Sequence, residues 1–223
     1  MQNFSDTGRC SPLIPVLFQD KNIIVALKPP GLLSQAGPGE DILTALGQQE
    51  HCTLFPVHRL DRGVGGVMVF AKTSAAAGKL SAAIQQGKLE KEYLCVTRGC
   101  PAAPSGVYKD LLLHDKSRNK TFVVDRMRGG VKEASLEYRV LREQENLALV
   151  HVKLHTGRTH QIRVQFSSRK TPLLGDGKYG GGSGQIALWS YRLSLPHPAT
   201  GKVMAFTHLP QGDVWDGFDL SSI

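Results

Sequence analysis

A chain of 223 residues, 41% hydrophobic and 21% charged, is long enough for one sizeable core, and none of its apolar runs approaches the roughly 18 residues of a membrane span. A formal net charge of +8 and a pI near 9.4 attract phosphate backbones or anionic lipids; with no basic amphipathic helix or lipidation signal, nucleic acid is favoured and a membrane is not expected. The N-terminus lacks a secretory signal's basic start and apolar centre, and Cys10, Cys52, Cys95 and Cys100 have neither Cys-x-x-Cys nor zinc spacing, so reduced thiols in a cytoplasm are expected.

In chain order, residues 1–15 are polar with two prolines and read as a loose arm ahead of one domain over 16–223. Residues 22–27 form a β-branched apolar run that Lys28-Pro29-Pro30-Gly31 must end, because proline cannot donate to a ladder. Residues 41–46 suggest a short helix capped by Asp41. A polar, charged stretch from Pro56 then passes Gly63, Gly65 and Gly66 into the apolar run Val67 to Ala71, a buried strand. Ser74 can cap a helix to about Gln86, with Leu80 and Ile84 on one face. Residues 91–96 read as a strand with Tyr93 and Leu94 on opposite faces. Further strands are expected over 107–113, 121–124, 134–141 and 147–154, a helical turn or two over 159–167, and a mobile glycine loop over 180–184. Residues 191–195 and 202–206 flank a hairpin turn, Pro196 to Gly201. Strands joined by short turns, with few helices, predict an α+β domain on a mixed, largely antiparallel sheet.

Asp61, between Arg59 and Arg62 at the mouth of the central strand, is either a structural ion-pair member or a mounted catalytic carboxylate. His58-Arg59-Leu60-Asp61 resembles the box of the RluA-type pseudouridine synthases, and three other stretches resemble that family in the same order. These are Lys28-Pro29-Pro30-Gly31, Lys91-Glu92-Tyr93, and Gly157-Arg158-Thr159-His160-Gln161-Ile162-Arg163. Gly175-Asp176-x-x-Tyr179-Gly180 matches the turn that follows. The likeness runs over roughly residues 17 to 208 and implies the pseudouridine synthase fold.

The resemblance implies an isomerase that turns uridine into pseudouridine in structured RNA, ribosomal or transfer. The reaction is redox-neutral and needs no group donor, so neither cofactor nor metal is expected. It implies Asp61 as nucleophile, attacking C1′ (or acting through a glycal) or C6, and Arg163 as the guanidinium that keeps the carboxylate ionised. Tyr93 would stack on the uracil and help move the C5 proton. Without the motif, Arg163 would read as a surface cation and Tyr93 as a core residue. His58 and Arg59 are expected at the cleft mouth, Arg59 entering the space left by the everted base. Arg62 and Arg158 are expected near RNA, with His160 and Gln161 bracing the loop.

One departure stands out: where the family commonly has Thr-Ser-Gly after the box, residues 64–66 are Val-Gly-Gly, so those hydroxyls must be replaced. No S4-type RNA-binding domain is recognisable, which leaves RNA recognition to the domain's own basic surface, Lys116, Arg118, Lys120, Arg126 and Arg128 among the candidates. A catalytically silent RNA-binding or folding factor on the same scaffold is the rival reading, and a metal-dependent hydrolase a third without ligand spacing behind it. With no association helix in sight, a monomer is expected.

Overall fold

The computed structural model describes residues 13–221 and 223; Cys10 and residues 1–12 of the expected arm lie outside the described residues. In chain order the elements are β1 (Val16–Gln19), β2 (Ile23–Lys28), α1 (Ile42–Gln49), β3 (Phe55–Pro56), β4 (Gly65–Ala71), α2 (Ser74–Gln85), β5 (Glu90–Arg98), β6 (Ser105–Asp115), β7 (Lys120–Val124), β8 (Val131–Gln144), β9 (Leu147–Leu154), α3 (Gln161–Ser167), β10 (Leu188–Pro196), β11 (Val203–Thr207) and α4 (Asp213–Asp216). The strands form one eleven-stranded sheet in the order β1-β2-β4-β10-β5-β9-β8-β6-β7, with β3 on β4 and β11 on β10. Among the described pairings, only β4 with β10 is parallel, over Gly65 and Gly66 against Trp189 and Ser190. The expected mixed, largely antiparallel α+β architecture is the one observed.

The centre of the sheet is covered on both faces, which is why β2 and β4 read as nearly unbroken apolar runs. Along β4, Met68 and Phe70 join the core beneath α1 and α3, while Val67, Val69 and Ala71 join the core beneath α2. Along β5, Tyr93 and Cys95 enter the first of these cores, and Leu94 and Val96 pack with Trp215 and Phe218 on the opposite face. Burying a side chain such as Phe70 contributes about 1.5–3 kcal/mol. The sheet is therefore a rigid platform wherever loops leave it.

Local chemistry explains the boundaries. Asp41 caps α1 as expected, accepting from the Thr44 N–H at 2.9 Å. Helix α2 is capped by Thr73 rather than Ser74, because Thr73 keeps the extended conformation of the strand exit while accepting from Ala76 N–H at 3.1 Å. Residues 14 and 15 are already pinned to the domain: Gln49 exchanges two hydrogen bonds with the Ile14 backbone, and Leu27 N–H donates to the Pro15 carbonyl. The 180–184 stretch is more closely built than its composition predicts. Gly181 is buried, exchanges backbone bonds with Gly175 and Asp176, and has no room for a Cβ, which would overlap the Leu173 carbonyl.

Candidate active site

Asp61 stands just ahead of β4, on a loop fixed largely by hydrogen bonds from the segment that follows β2. Lys28, the last residue of β2, is buried and donates its Nζ hydrogens to the carbonyls of Pro29 (3.0 Å), Arg62 (3.2 Å) and Val64 (2.7 Å). Ser34 Oγ accepts from Leu60 N–H at 3.0 Å and donates to its carbonyl at 2.6 Å. Gly31 N–H donates to the Arg62 carbonyl, and Arg62 Nε returns a bond to Gly31 O at 2.9 Å. Segment 28–34 thus holds a loop whose positions 64 and 65 carry no side-chain hydroxyl.

Helix α3 brings Arg163 to the same place. Its Nη1 donates to Asp61 Oδ2 at 3.0 Å, while Nε and Nη2 form a fork on Asp176 at 2.7 and 2.8 Å. Asp176 is fully buried and Arg163 nearly so, with the guanidinium 5.0 Å over the Tyr179 ring. Burial works against the Arg163 charge, but the Asp176 bonds and the Asp61 carboxylate outweigh it and raise its pKa. An arginine fixed by a buried partner presents its remaining donor in one direction only. Asp61 itself keeps a quarter of its side chain exposed, and its Oδ1 makes no hydrogen bond among the described residues.

Tyr93 comes from β5 and is almost wholly buried. Burial first, and the Asp61 charge second, push its pKa well up, so the phenol stays protonated. Ser190 lies directly across from it on β10, donates to the Val67 carbonyl at 3.2 Å and, acting on the phenol, works weakly against that rise. Asp61, Tyr93 and Arg163 all line one cleft of about 820 Å³, in the range of about 300–1,000 Å³ typical of ligand sites. Arg59, exposed, and Lys91 also line it, and neither makes a hydrogen bond or ion pair among the described residues.

The other expected site residues divide. His58, expected at the mouth, lines the cleft but is buried: its Nε2 accepts from Val69 N–H at 3.1 Å, so the ring is tied to β4. Burial, then Lys91, lowers its pKa to about 3, and its Nδ1 has no partner among the described residues. Arg158 is at the exposed rim, with Nε on the Glu133 carbonyl. Gln161 braces the loop ahead of α3, accepting from Thr156 Oγ1 and Arg158 N–H and donating to Ser135 O. His160 reaches Tyr179 Oη with Nδ1 at 2.9 Å and places Nε2 3.8 Å from Asp61 Oδ2. Sequence reasoning left Lys28, Asp176 and Ser190 out of the site. The first two sit in motifs that were in view, but their partners are tertiary; nothing in the sequence marks Ser190. Among the described residues, no group of three or more His, Cys, Asp or Glu is placed to hold a metal ion, and no helix is long and apolar enough to cross a membrane.

The family model for RNA pseudouridylate synthase matches residues 22–168. An RNA pseudouridine synthase of Aquifex aeolicus is 34% identical over 220 residues, covering 86% of this chain and 68% of that protein. The dual-specificity RNA pseudouridine synthase RluA of Escherichia coli is 33% identical over 216 residues, covering 92% of this chain and 96% of its own. A Synechocystis relative is longer, and the chain spans 64% of it. The structure of Human RNA Pseudouridylate Synthase Domain Containing 4 superposes with a TM-score of 0.74 at 26% identity, covering 88% of this chain and 89% of the other. The chain therefore belongs to the RNA pseudouridylate synthase family, isomerases that convert uridine to pseudouridine in RNA.

Proposed function

We propose that Asp61 is the nucleophile of this isomerase, acting on a uridine of structured ribosomal or transfer RNA in the cytoplasm, and that the protein works as a monomer without cofactor or metal. The observation that carries the assignment is the Asp176–Arg163–Asp61 chain: a buried carboxylate aims a guanidinium at Asp61 Oδ2 and leaves Oδ1 unbonded in the cleft. A carboxylate fixed through one oxygen and open on the other is positioned as a nucleophile. Attack at C1′ and attack at C6 lead to the same balance. The N1–C1′ bond breaks, the C5–C1′ bond forms, and one proton leaves C5 while another joins N1, so nothing is oxidised or reduced. Tyr93 lies against the base, where its ring can stack on the uracil and its hydroxyl helps move the C5 proton, passing its own hydrogen on as it receives that one. Arg59 fills the space that the everted nucleotide leaves, offsetting an unstacking cost of a few kcal/mol. Lys91, Arg62 and Arg158 meet the flanking phosphates.

Asp61→Asn keeps the size and polarity of the side chain and removes its charge. It is expected to lower pseudouridine formation by at least about 10³-fold while the RNA dissociation constant and melting temperature stay close to wild type. Product mapping in total RNA from cells carrying wild-type or variant protein also identifies the modified uridine. Wild-type turnover by the purified variant would remove Asp61 from the chemistry. Turnover absent from the wild type itself, with RNA binding intact, would favour the silent binding factor.

A further inference from the structure

We infer that His160 is a positioning residue for the nucleophile: Tyr179 fixes the imidazole tautomer so that an uncharged Nε2–H is aimed at Asp61 Oδ2. The inference rests on Asp61 being the nucleophile, and three observations carry it. First, His160 immediately precedes α3 with φ at +54°, in the left-handed region, and makes no capping hydrogen bond with its side chain. A non-glycine residue there costs about 1–3 kcal/mol and persists where the surroundings over-determine it. Capping does not explain the residue, and Gln161 already braces the loop.

Second, the hydrogen bonds select one tautomer. Tyr179 Oη accepts the Thr121 N–H at 2.8 Å and lies 2.9 Å from His160 Nδ1. With one lone pair taken by that amide, we assign the hydroxyl hydrogen to the imidazole, Nδ1 accepting it. Thr121 Oγ1 also interacts with the phenol, but its own hydrogen goes to the Thr159 carbonyl at 2.9 Å, and it lies 3.1 Å from His114 Nδ1. A neutral imidazole that accepts at Nδ1 carries its hydrogen on Nε2.

Third, that Nε2 faces the oxygen Arg163 already holds. It lies 3.8 Å from Asp61 Oδ2, too long for a hydrogen bond in the free enzyme but of the kind that tightens when substrate fills a site. The opposite tautomer would turn a lone pair on the carboxylate. The groups around the ring keep it neutral: burial acts most, and Arg163 on α3, Lys178 on the following turn and His114 on β6 reinforce it against the attraction of Asp61, holding its pKa near 4. Asp176 is spent on Arg163, and Lys120 of β7 lies 5.4 Å over the Tyr179 ring. An uncharged donor orients Oδ2 without adding a second positive charge beside the one Arg163 supplies. With Arg163 and His160 both on Oδ2, Oδ1 is the oxygen left for the reaction.

Nitrogen-15 NMR of the imidazole at pH 7 tests the tautomer directly: a protonated Nε2 and an unprotonated Nδ1 are expected, turning into a mixture in Tyr179→Phe. A protonated Nδ1 in the wild type overturns the inference. In turnover, His160→Ala is expected to lower kcat about tenfold with KM for RNA within about twofold, and His160→Asn, which tolerates the left-handed conformation and keeps a donor, to recover to within about threefold. An Asn variant no better than Ala means that packing alone was lost and overturns the role; so does wild-type kcat in His160→Ala. Should His160→Ala fail to fold, Tyr179→Phe carries the test, expected to show both the tautomer change and a lower kcat. Asp61→Asn run beside these separates the two readings. Inactive Asp61→Asn with fully active His160→Ala sinks the relay alone, and active Asp61→Asn sinks the nucleophile beneath it.

Discussion

Gly65 shows how a single residue type can be dictated by a neighbour rather than by its own backbone. Trp189, directly opposite on β10, lays its six-membered ring where a side chain at position 65 would go: an added Cβ would overlap the ring, sit 2.9 Å from Cε3 and touch Pro30 Cδ at 3.0 Å. The indole cannot swing away cheaply, because its Nε1 donates to the His208 carbonyl at 2.8 Å. Restoring the serine that the family commonly carries here therefore harms this protein. Gly65→Ser is expected to lower stability by about 1–3 kcal/mol in urea unfolding. In a Trp189→Leu background the same change is expected to cost less than half as much, because the two sites share one volume. Additive costs would mean that the ring is not what excludes the side chain. Next to it, Gly66 has φ at +123° and no space for a Cβ, which would lie 2.6 Å from Ser190 N. That closeness is what lets β4 and β10 pair in parallel beside the site.

At the scale of elements, the reactive loop is held by the end of β2, and the lysine that does it is costly to bury. The Lys28 pKa falls to about 8, with burial as the cause and Asp61 opposing, against 10.5 in an unfolded chain. Between those values the unfolded chain binds more protons, so stability rises as pH climbs from about 8 towards 10.5, and below about 8 the charge is carried at its full cost. Lys28→Met should abolish that rise, remove a donor from three carbonyls at a net cost of about 1–3 kcal/mol near pH 7, and lower kcat by freeing the Asp61 loop. Guanidinium titrations at several pH values read the first two effects. A variant that keeps the alkaline rise would place its origin in another group. Strands such as β2 and β4 were legible because burial on both faces writes a continuous apolar run. β1, β3 and α4, of four, two and four residues, were not, being too short to show a period. In the site, motif likeness pointed to Asp61, Tyr93 and Arg163, and the fold brings all three to one cleft. Lys28 read equally well as turn punctuation, since its three carbonyl partners lie up to 36 residues away. Gly181 was misread as looseness because composition cannot separate a glycine that frees the chain from one that admits a close neighbour.

For the whole molecule, the +8 charge becomes a question of where RNA is gripped. The sheet ends in β7, an edge strand of five residues, and the turns at its two ends are both basic. At about 3.3 Å per residue these turns lie roughly 17 Å apart. The β6–β7 turn carries Lys116 and Arg118 beside Asn119, which lines the cleft and accepts from Lys178 Nζ through its carbonyl. The β7–β8 turn carries Arg126 and Arg128, both exposed. Lys120 is turned inward over the Phe122 and Tyr179 rings, so it belongs to the support of the site rather than to the surface. Lys116 and Arg118 point outward; Arg118 is spent only on a loose, 3.7 Å contact with Asp115 that salt and water weaken. A backbone phosphate at the cleft rim would engage both. Each phosphate neutralised releases counterions worth about 0.7–0.9 in the slope of log K against log salt. Lys116→Gln with Arg118→Gln should weaken RNA binding about tenfold at moderate salt, reduce that slope by about 0.7–0.9, and leave kcat at saturating RNA unchanged. Because neither side chain reaches Asp61, a fall in kcat would mean that the turn shapes the site. An unchanged salt slope would move the grip to the Arg126 and Arg128 end, where the same pair of substitutions and the same titration decide it.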